Sequence, residues 1–119
     1  MDVAKLQAAT IVHLQWKSKL SDFFYGVEEL NASQVPDHTH CELGKWLYSS
    51  GLQELAELSG TDRLDSAHKE VHNEIKRLVQ MPEETRKSAE GKQALAHFKT
   101  KCDRLVDILE NLEAQAKQQ

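Results

Sequence analysis

The sequence predicts an all-α protein, with one four-helix-bundle-like domain over residues 1–119 and an extra short helix that carries Cys41. Two observations lead to this fold class. Ala, Leu, Glu, Lys and Gln recur throughout, whereas the chain has only five Gly and two Pro. Three long segments also repeat their apolar residues at helical spacing. Such helices bury their apolar faces against one another, which predicts a bundle.

The first predicted helix spans residues 2–29, and Asp2 is a suitable N-cap. His13 falls on its apolar face, where a core residue is expected, and Trp16 lies beside that face. The face consists of Val3, Leu6, Thr10, His13, Leu20, Phe24 and Val27. Residues 31–37 are polar and turn-rich, so the helix is expected to end before them.

Two short helices are predicted next. The first covers residues 41–49 and is closed by Gly51, and the second covers residues 52–58 and ends at Gly60. Within the first, Gly44 is expected to permit close approach to a long helix.

Two more long helices complete the predicted bundle. One is capped by Thr61 or Asp62 and stops near residues 81–82. Its apolar face consists of Leu64, His68, Val71, His72, Ile75, Leu78 and Val79. A charged stretch, residues 83–90, leads to the last helix at residues 92–117. From about residue 113 the chain is polar, and we expect a frayed tail.

Composition excludes several classes of function. The net charge is −4 without a basic stripe, so neither nucleic acid nor an anionic membrane is an expected partner. No apolar run approaches the roughly 20 residues that span a bilayer. The first residues do not resemble a secretory signal, and two cysteines do not form a disulfide framework. We therefore expect a cytoplasmic location.

The segment 68–72 reads HKEVH and places His68 and His72 one above the other on a helix face. Two buried histidines that hydrogen-bond to other helices would give the same pattern. His13 and Cys41 add two donors from elsewhere in the chain, and zinc prefers such a set of nitrogen and sulfur ligands. From the pattern alone, a zinc site and a set of structural histidines both remain open.

Three motifs in order resemble the chemoreceptor zinc-binding domain family: HLQWK at 13–17, CELGKW at 41–46 and HKEVH at 68–72. The resemblance implies one Zn²⁺ per chain, bound in a four-helix bundle by His13, Cys41, His68 and His72. Members of that family occur beside chemoreceptors and diguanylate cyclases, or alone, and commonly form homodimers. They report zinc availability or oxidants such as hypochlorous acid.

The resemblance thus predicts a sensory domain of bacterial signal transduction that controls chemotaxis or cyclic-di-GMP signalling, either free-standing or part of a longer protein. Cys41 is the expected redox-sensing residue, because a thiolate is the species that oxidants attack. The short helix around it has few apolar residues, so we expect it to swing away when Cys41 is oxidised. The alternative is a zinc ion that only stabilises a helical interaction module.

The remaining polar residues have supporting or neutral roles in this interpretation. Asp65, one turn before His68, is expected to accept a hydrogen bond from a ligating imidazole. His38 is expected to support the site or shape the turn before Cys41, although it and His40 are also possible donors. Surface exposure is expected for His97. We expect three further residues to be buried: Cys102 in the core of the bundle, and Trp16 and Trp46 around the metal site.

An enzyme is not predicted. Catalytic zinc usually keeps an open position, whereas four donors would close this site. The metalloprotease motif places Glu directly after the first His, but Glu70 follows His68 by two residues and lies on the far side of the helix.

Overall fold

The computed structural model describes residues 3–118. These residues form helices joined by turns and loops and include no strand, which confirms the all-α prediction. Asp2, the predicted N-cap, lies outside the described residues. The helices are α1 (Val3–Phe24), α2 (Glu42–Trp46), α3 (Leu52–Glu54), α4 (Thr61–Val79), α5 (Glu83–Lys87) and α6 (Ala89–Lys117). A 3-10 turn (Ala32–Gln34) precedes α2, and a π-helical turn (Leu47–Gly51) joins α2 to α3.

The core lies where the three long helices α1, α4 and α6 pack together. Leu20 of α1, Ile75 of α4 and Phe98 of α6 are fully buried. The run from α2 to α3 covers one side of this core through Leu43 and Leu47, which are also buried. None of the helices within residues 3–118 has the length and apolar character needed to cross a membrane.

Helix α1 ends at Phe24, five residues earlier than predicted, because Gly26 adopts a left-handed conformation with φ of 78°. The N–H of Val27 donates to Asp22 O at 2.8 Å and that of Gly26 to Phe23 O at 3.2 Å. These two bonds form a Schellman motif, which terminates a helix at glycine. Val27 is therefore exposed rather than part of the buried face.

Gly51 does not close a helix, contrary to the prediction. Its φ is −61°, and the helical run continues through it from α2 into α3. A Cβ at this position would lie 2.8 Å from Cδ2 of Trp46, so glycine here makes room for the indole ring. The second short helix ends at Glu54 instead of residue 58 and is followed by turns up to Gly60.

The predicted caps at residues 61 and 62 are also wrong. Gly60, with φ of 99°, is the N-cap of α4, and the Thr61 hydroxyl donates to Leu55 O and Leu58 O instead. The charged stretch contains helix α5, which was not predicted. Ser88 accepts a hydrogen bond from Gly91 N, so α6 begins at Ala89 rather than at residue 92.

The last helix continues to Lys117, through the residues from 113 onward for which a frayed tail is predicted. Ala116 is buried, and Gln115 exchanges hydrogen bonds with the main chain of Ser59. These contacts hold the polar end of α6 against the turn that precedes α4.

Candidate metal centre

Four of the predicted site residues meet inside the bundle. His13 comes from α1, Cys41 is the N-cap of α2, and His68 and His72 lie one turn apart on α4. Their potential ligand atoms all lie within 4.8 Å of one another. The three histidines are at most 2 % exposed and Cys41 is 8 % exposed. The structure therefore brings one sulfur and three imidazoles from separate segments to one buried point.

Two of the imidazoles are held by main-chain carbonyls. His13 Nδ1 donates to Ala9 O at 2.7 Å, and His72 Nδ1 donates to Pro36 O at 2.8 Å. A carbonyl only accepts hydrogen bonds, so the proton of each neutral ring is on Nδ1 and the lone pair is on Nε2. Both Nε2 atoms point into the cluster, where they lie 3.4 Å apart.

This pair of Nε2 atoms has the geometry of a metal site. Two buried lone pairs that face each other repel, unless a cation lies between them. In a tetrahedral zinc site with Zn–N bonds of about 2.0 Å, neighbouring ligand nitrogens are separated by about 3.3 Å. The observed 3.4 Å separation of His13 Nε2 and His72 Nε2 is close to this value.

Cys41 supplies the sulfur. Its Sγ lies 3.1 Å from His68 Nε2 and accepts a hydrogen bond from Gly44 N at 3.4 Å. Burial raises the pKa of the thiol, and the N–H groups of Gly44 and Leu43 only partly oppose this effect. A cation beside Sγ is thus required for the thiolate to be the main form near neutral pH.

The histidines are neutral and ready to bind a metal. Burial lowers the pKa of His68 to about 2, and the nearby rings of His72, His13 and His38 lower it further. Burial also lowers the pKa of His72 to about 4, although the hydrogen bond to Pro36 opposes the shift. Since a metal competes with protons for the imidazole nitrogen, these lowered pKa values favour metal binding.

His68 differs from the other two because its Nδ1 is buried without a hydrogen-bond partner. Asp65, predicted to accept from an imidazole, does not fill this place. Its carboxylate accepts a hydrogen bond from the Tyr48 hydroxyl and pairs with Lys69 Nζ at 3.4 Å. The Asp65 carboxylate is therefore held by Tyr48 and Lys69 and makes no hydrogen bond with His68 Nδ1.

The turn before Cys41 packs tightly against α2. Gly44 faces the main chain of His38 and Thr39, and a Cβ at this position would overlap the carbonyl oxygen of His38. The close approach predicted for Gly44 is therefore to this turn and not to a long helix. Asp37 accepts hydrogen bonds from Thr39 and His40, and the ring of His40 is exposed.

His38 lies outside the cluster of four but beside it. Its half-buried ring is in edge contact with the ring of His68, at 6.3 Å between centroids, and with the ring of Tyr48, at 6.1 Å. Sequence reasoning did not identify Tyr48 as part of this region, because neither spacing nor composition links it to the histidines.

The expectation of a mobile helix around Cys41 does not fit the packing. Leu43, Trp46 and Leu47 are all buried, and Trp46 Nε1 donates to Glu54 at 3.3 Å. Although this segment has few apolar residues, most of them reach the core. These buried side chains thus anchor helix α2 to the core of the bundle.

A groove of about 470 Å³ between α1 and α2 leads from the surface to His13 and Cys41. Apolar side chains line much of it, including Val12, Leu43 and Trp46. His13 and Cys41 thus line a groove that opens at the surface, although they are only 1 % and 8 % exposed.

Several other residues lie where they were predicted. Glu70 and His97 are exposed, and Trp16 is buried. Cys102 is fully buried, and its thiol donates to His13 O at 3.2 Å. Cys102 thus contacts the main chain of α1 at His13 and does not join the cluster of ligand atoms.

Comparison with known proteins gives one match. A family model described as the chemoreceptor zinc-binding domain matches residues 13–79, which are more than half of the chain and include all four clustered side chains. No curated protein and no solved structure gave a significant match. The family match and the cluster of three His and one Cys together support one Zn²⁺ site.

Proposed function

Because the chain belongs to the chemoreceptor zinc-binding domain family, we propose that it is a sensory domain of bacterial signalling that responds to zinc availability or oxidants. His13, Cys41, His68 and His72 are its zinc ligands in this proposal. The observation that carries the zinc site is the pair of Nε2 atoms of His13 and His72, which face each other at 3.4 Å. The Nδ1 proton of each ring is donated to a main-chain carbonyl, so both Nε2 lone pairs are available.

Cys41 is the proposed redox-sensing residue. Bound zinc would keep its sulfur deprotonated, and Cys41 lines the groove between α1 and α2, through which small oxidants would approach. Hypochlorous acid oxidises a thiolate by two electrons: the sulfur becomes a sulfenic acid by taking up the hydroxyl group, and chlorine leaves as chloride. The sulfenic acid is a weaker ligand, so the site would hold its ion less tightly.

The response would reach a partner through the helices that meet at the site. Cys41 is connected to α2, and His13 lies on α1, where Ile11, Val12 and Leu14 are apolar and substantially exposed. This exposed surface supports a homodimer, as does the family. The proposed output module is a chemoreceptor or a diguanylate cyclase, so the pathway would be chemotaxis or cyclic-di-GMP signalling. The proposed location is the cytoplasm.

A structural zinc ion is the second candidate function, and the packing of α2 favours it. Leu43, Trp46 and Leu47 anchor this helix in the core, so loss of the sulfur ligand need not release it. Under this alternative the ion links α1, α2 and α4, and replacement of Cys41 would mainly lower the free energy of unfolding.

Catalysis is not part of the proposal. With four donors in the cluster, a zinc ion would have no open position for a substrate. Glu70, which lies between His68 and His72 in the sequence, is exposed and does not enter the cluster.

The test combines metal content with thiol state. The protein is purified without added metal, its zinc is counted, and hypochlorous acid is added stepwise while zinc transfer to a coloured chelator is followed. One zinc per chain that becomes accessible to the chelator as Cys41 is oxidised would support redox sensing. One zinc held equally tightly after oxidation of Cys41 would favour zinc sensing or a structural role, and absence of bound zinc would contradict the site.

A further inference from the structure

We propose that His38 is a reserve zinc ligand, which takes the place of Cys41 when the thiolate is lost, so that the ion is retained by four imidazoles at lower affinity. The inference rests on the proposed zinc site. It gives the site two ligand sets, one with sulfur and one without.

The position of the His38 ring is the first argument. Its centroid lies 6.3 Å from that of His68, and the planes are at 85°. The rings within the cluster are closer, at 5.2 Å for His13 with His68, 5.5 Å for His13 with His72 and 4.6 Å for His68 with His72. The His38 ring is therefore the next imidazole outward from the cluster, and its side chain would have to rotate toward His68 to become a ligand.

The second argument is that no hydrogen bond competes for the His38 ring. No hydrogen bond of the His38 imidazole is found among residues 3–118, although the ring is half-buried. The His38 ring is also in edge contact with the ring of Tyr48, at 6.1 Å between centroids, and the Tyr48 hydroxyl is held by Asp65. The contacts of the His38 ring with Tyr48 and His68 thus keep it beside the cluster.

The third argument is that the main chain would not have to move. The His38 carbonyl packs against Gly44 and lies 4.0 Å from Cys41 Sγ. Both donors are thus carried by one turn, which α2 fixes against the bundle. Exchange of sulfur for nitrogen then requires only side-chain rotation.

His40 provides a matched control in the same turn. Its ring is exposed and is held at 2.8 Å by the carboxylate of Asp37. It therefore has a partner of its own, on the surface. Replacing it perturbs the turn, as replacing His38 does, without removing the proposed ligand.

The experiment compares Cys41→Ala alone with Cys41→Ala/His38→Ala and Cys41→Ala/His40→Ala in the full chain. Zinc affinity is measured by competition with a chelator, and the visible spectrum of the Co²⁺-loaded protein reports the ligand set. We expect Cys41→Ala to bind one zinc with reduced affinity. Further loss of His38 should reduce that affinity at least about ten-fold and change the cobalt spectrum, whereas loss of His40 should do neither.

Two outcomes would contradict the inference in different ways. Equal affinities for the two double variants would mean that water completes the site, which overturns the role of His38 but leaves the zinc site intact. An unchanged affinity in Cys41→Ala would show that sulfur is not a ligand, and the proposed function would fail together with this inference.

A second measurement covers the case in which Cys41→Ala does not fold. The chain with native Cys41, and its His38→Ala and His40→Ala variants, are treated with hypochlorous acid until mass spectrometry shows Cys41 oxidised. Zinc retained against a chelator is then counted. The His38→Ala variant should retain the least, and equal retention in all three proteins would overturn the proposal.

Discussion

The Nε2 atoms of His13 and His72 face each other at 3.4 Å, and each ring is fixed by an Nδ1–H that donates to a main-chain carbonyl. The acceptors are Ala9, one turn earlier on α1, and Pro36, in the loop before Cys41. Such hydrogen bonds behind a ligating imidazole set its tautomer and orientation. The fold therefore presents two preformed nitrogen donors.

His72→Ala should abolish most zinc binding. Loss of a partner behind a ligand typically reduces metal affinity about 10–100-fold, so loss of the ligand itself should reduce it more than about 100-fold. A chelator should then lower the melting temperature of the native chain but not that of the variant. His97→Ala, exposed on α6, is the control and should behave like the native chain. A variant that keeps native zinc affinity would remove His72 from the site.

Stability of the metal-free protein should fall on acidification. Burial lowers the pKa of His68 to about 2 and that of His72 to about 4, from 6.5. The unfolded chain therefore takes up protons first, so the free energy of unfolding decreases as the pH drops below about 6.5. Above about pH 6.5 the two histidines are neutral in both states, so they add no pH dependence to the free energy of unfolding.

Urea unfolding of chelator-treated protein at several pH values measures this effect. His68→Leu should flatten the dependence, because one buried neutral histidine is removed, whereas His97→Gln should leave it unchanged. A free energy of unfolding that does not change between about pH 7 and about pH 5 would contradict the lowered pKa values.

The three long helices and the four clustered residues could be predicted from the sequence. Helical spacing placed His13, His68 and His72 on buried faces, and all three are buried. When several polar side chains fall on the apolar faces of helices, they indicate a functional site. The motif order then singled out Cys41, whose position at the start of a short helix is confirmed.

Other features depend on backbone conformation, which residue type alone does not determine. Gly26 and Gly51 are both plausible helix ends, but only Gly26 adopts a positive φ, and Gly51 makes room for the Trp46 ring instead. Asp65 has the right spacing to support His68, but Tyr48, distant in sequence, binds its carboxylate. A local contact with Trp46 decided the case of Gly51, and a contact with a residue 17 positions away decided that of Asp65.

The two cysteines should differ in reactivity. Cys102 is fully buried, its thiol donates to His13 O, and burial raises its pKa to about 11. Cys41 is 8 % exposed and lines the groove between α1 and α2. Low doses of hypochlorous acid should therefore oxidise Cys41 before Cys102, as followed by mass spectrometry of peptides. Cys102→Ala should show the same oxidation of Cys41, and equal rates for the two thiols would contradict this order.

Gly44→Ala should damage both the fold and the metal site. The added Cβ would overlap the carbonyl of His38, so the turn that carries Cys41 must shift, at a cost of about 1–3 kcal/mol in unfolding free energy. Gly26→Ala is the matched control, because its Cβ meets no atom within 4 Å and only its φ of 78° is unfavourable. That variant should lose about 1 kcal/mol and keep its zinc affinity. Unfolding by urea and competition with a chelator give both quantities. If Gly44→Ala retains native zinc affinity, the contact between Gly44 and His38 does not position Cys41 for the metal.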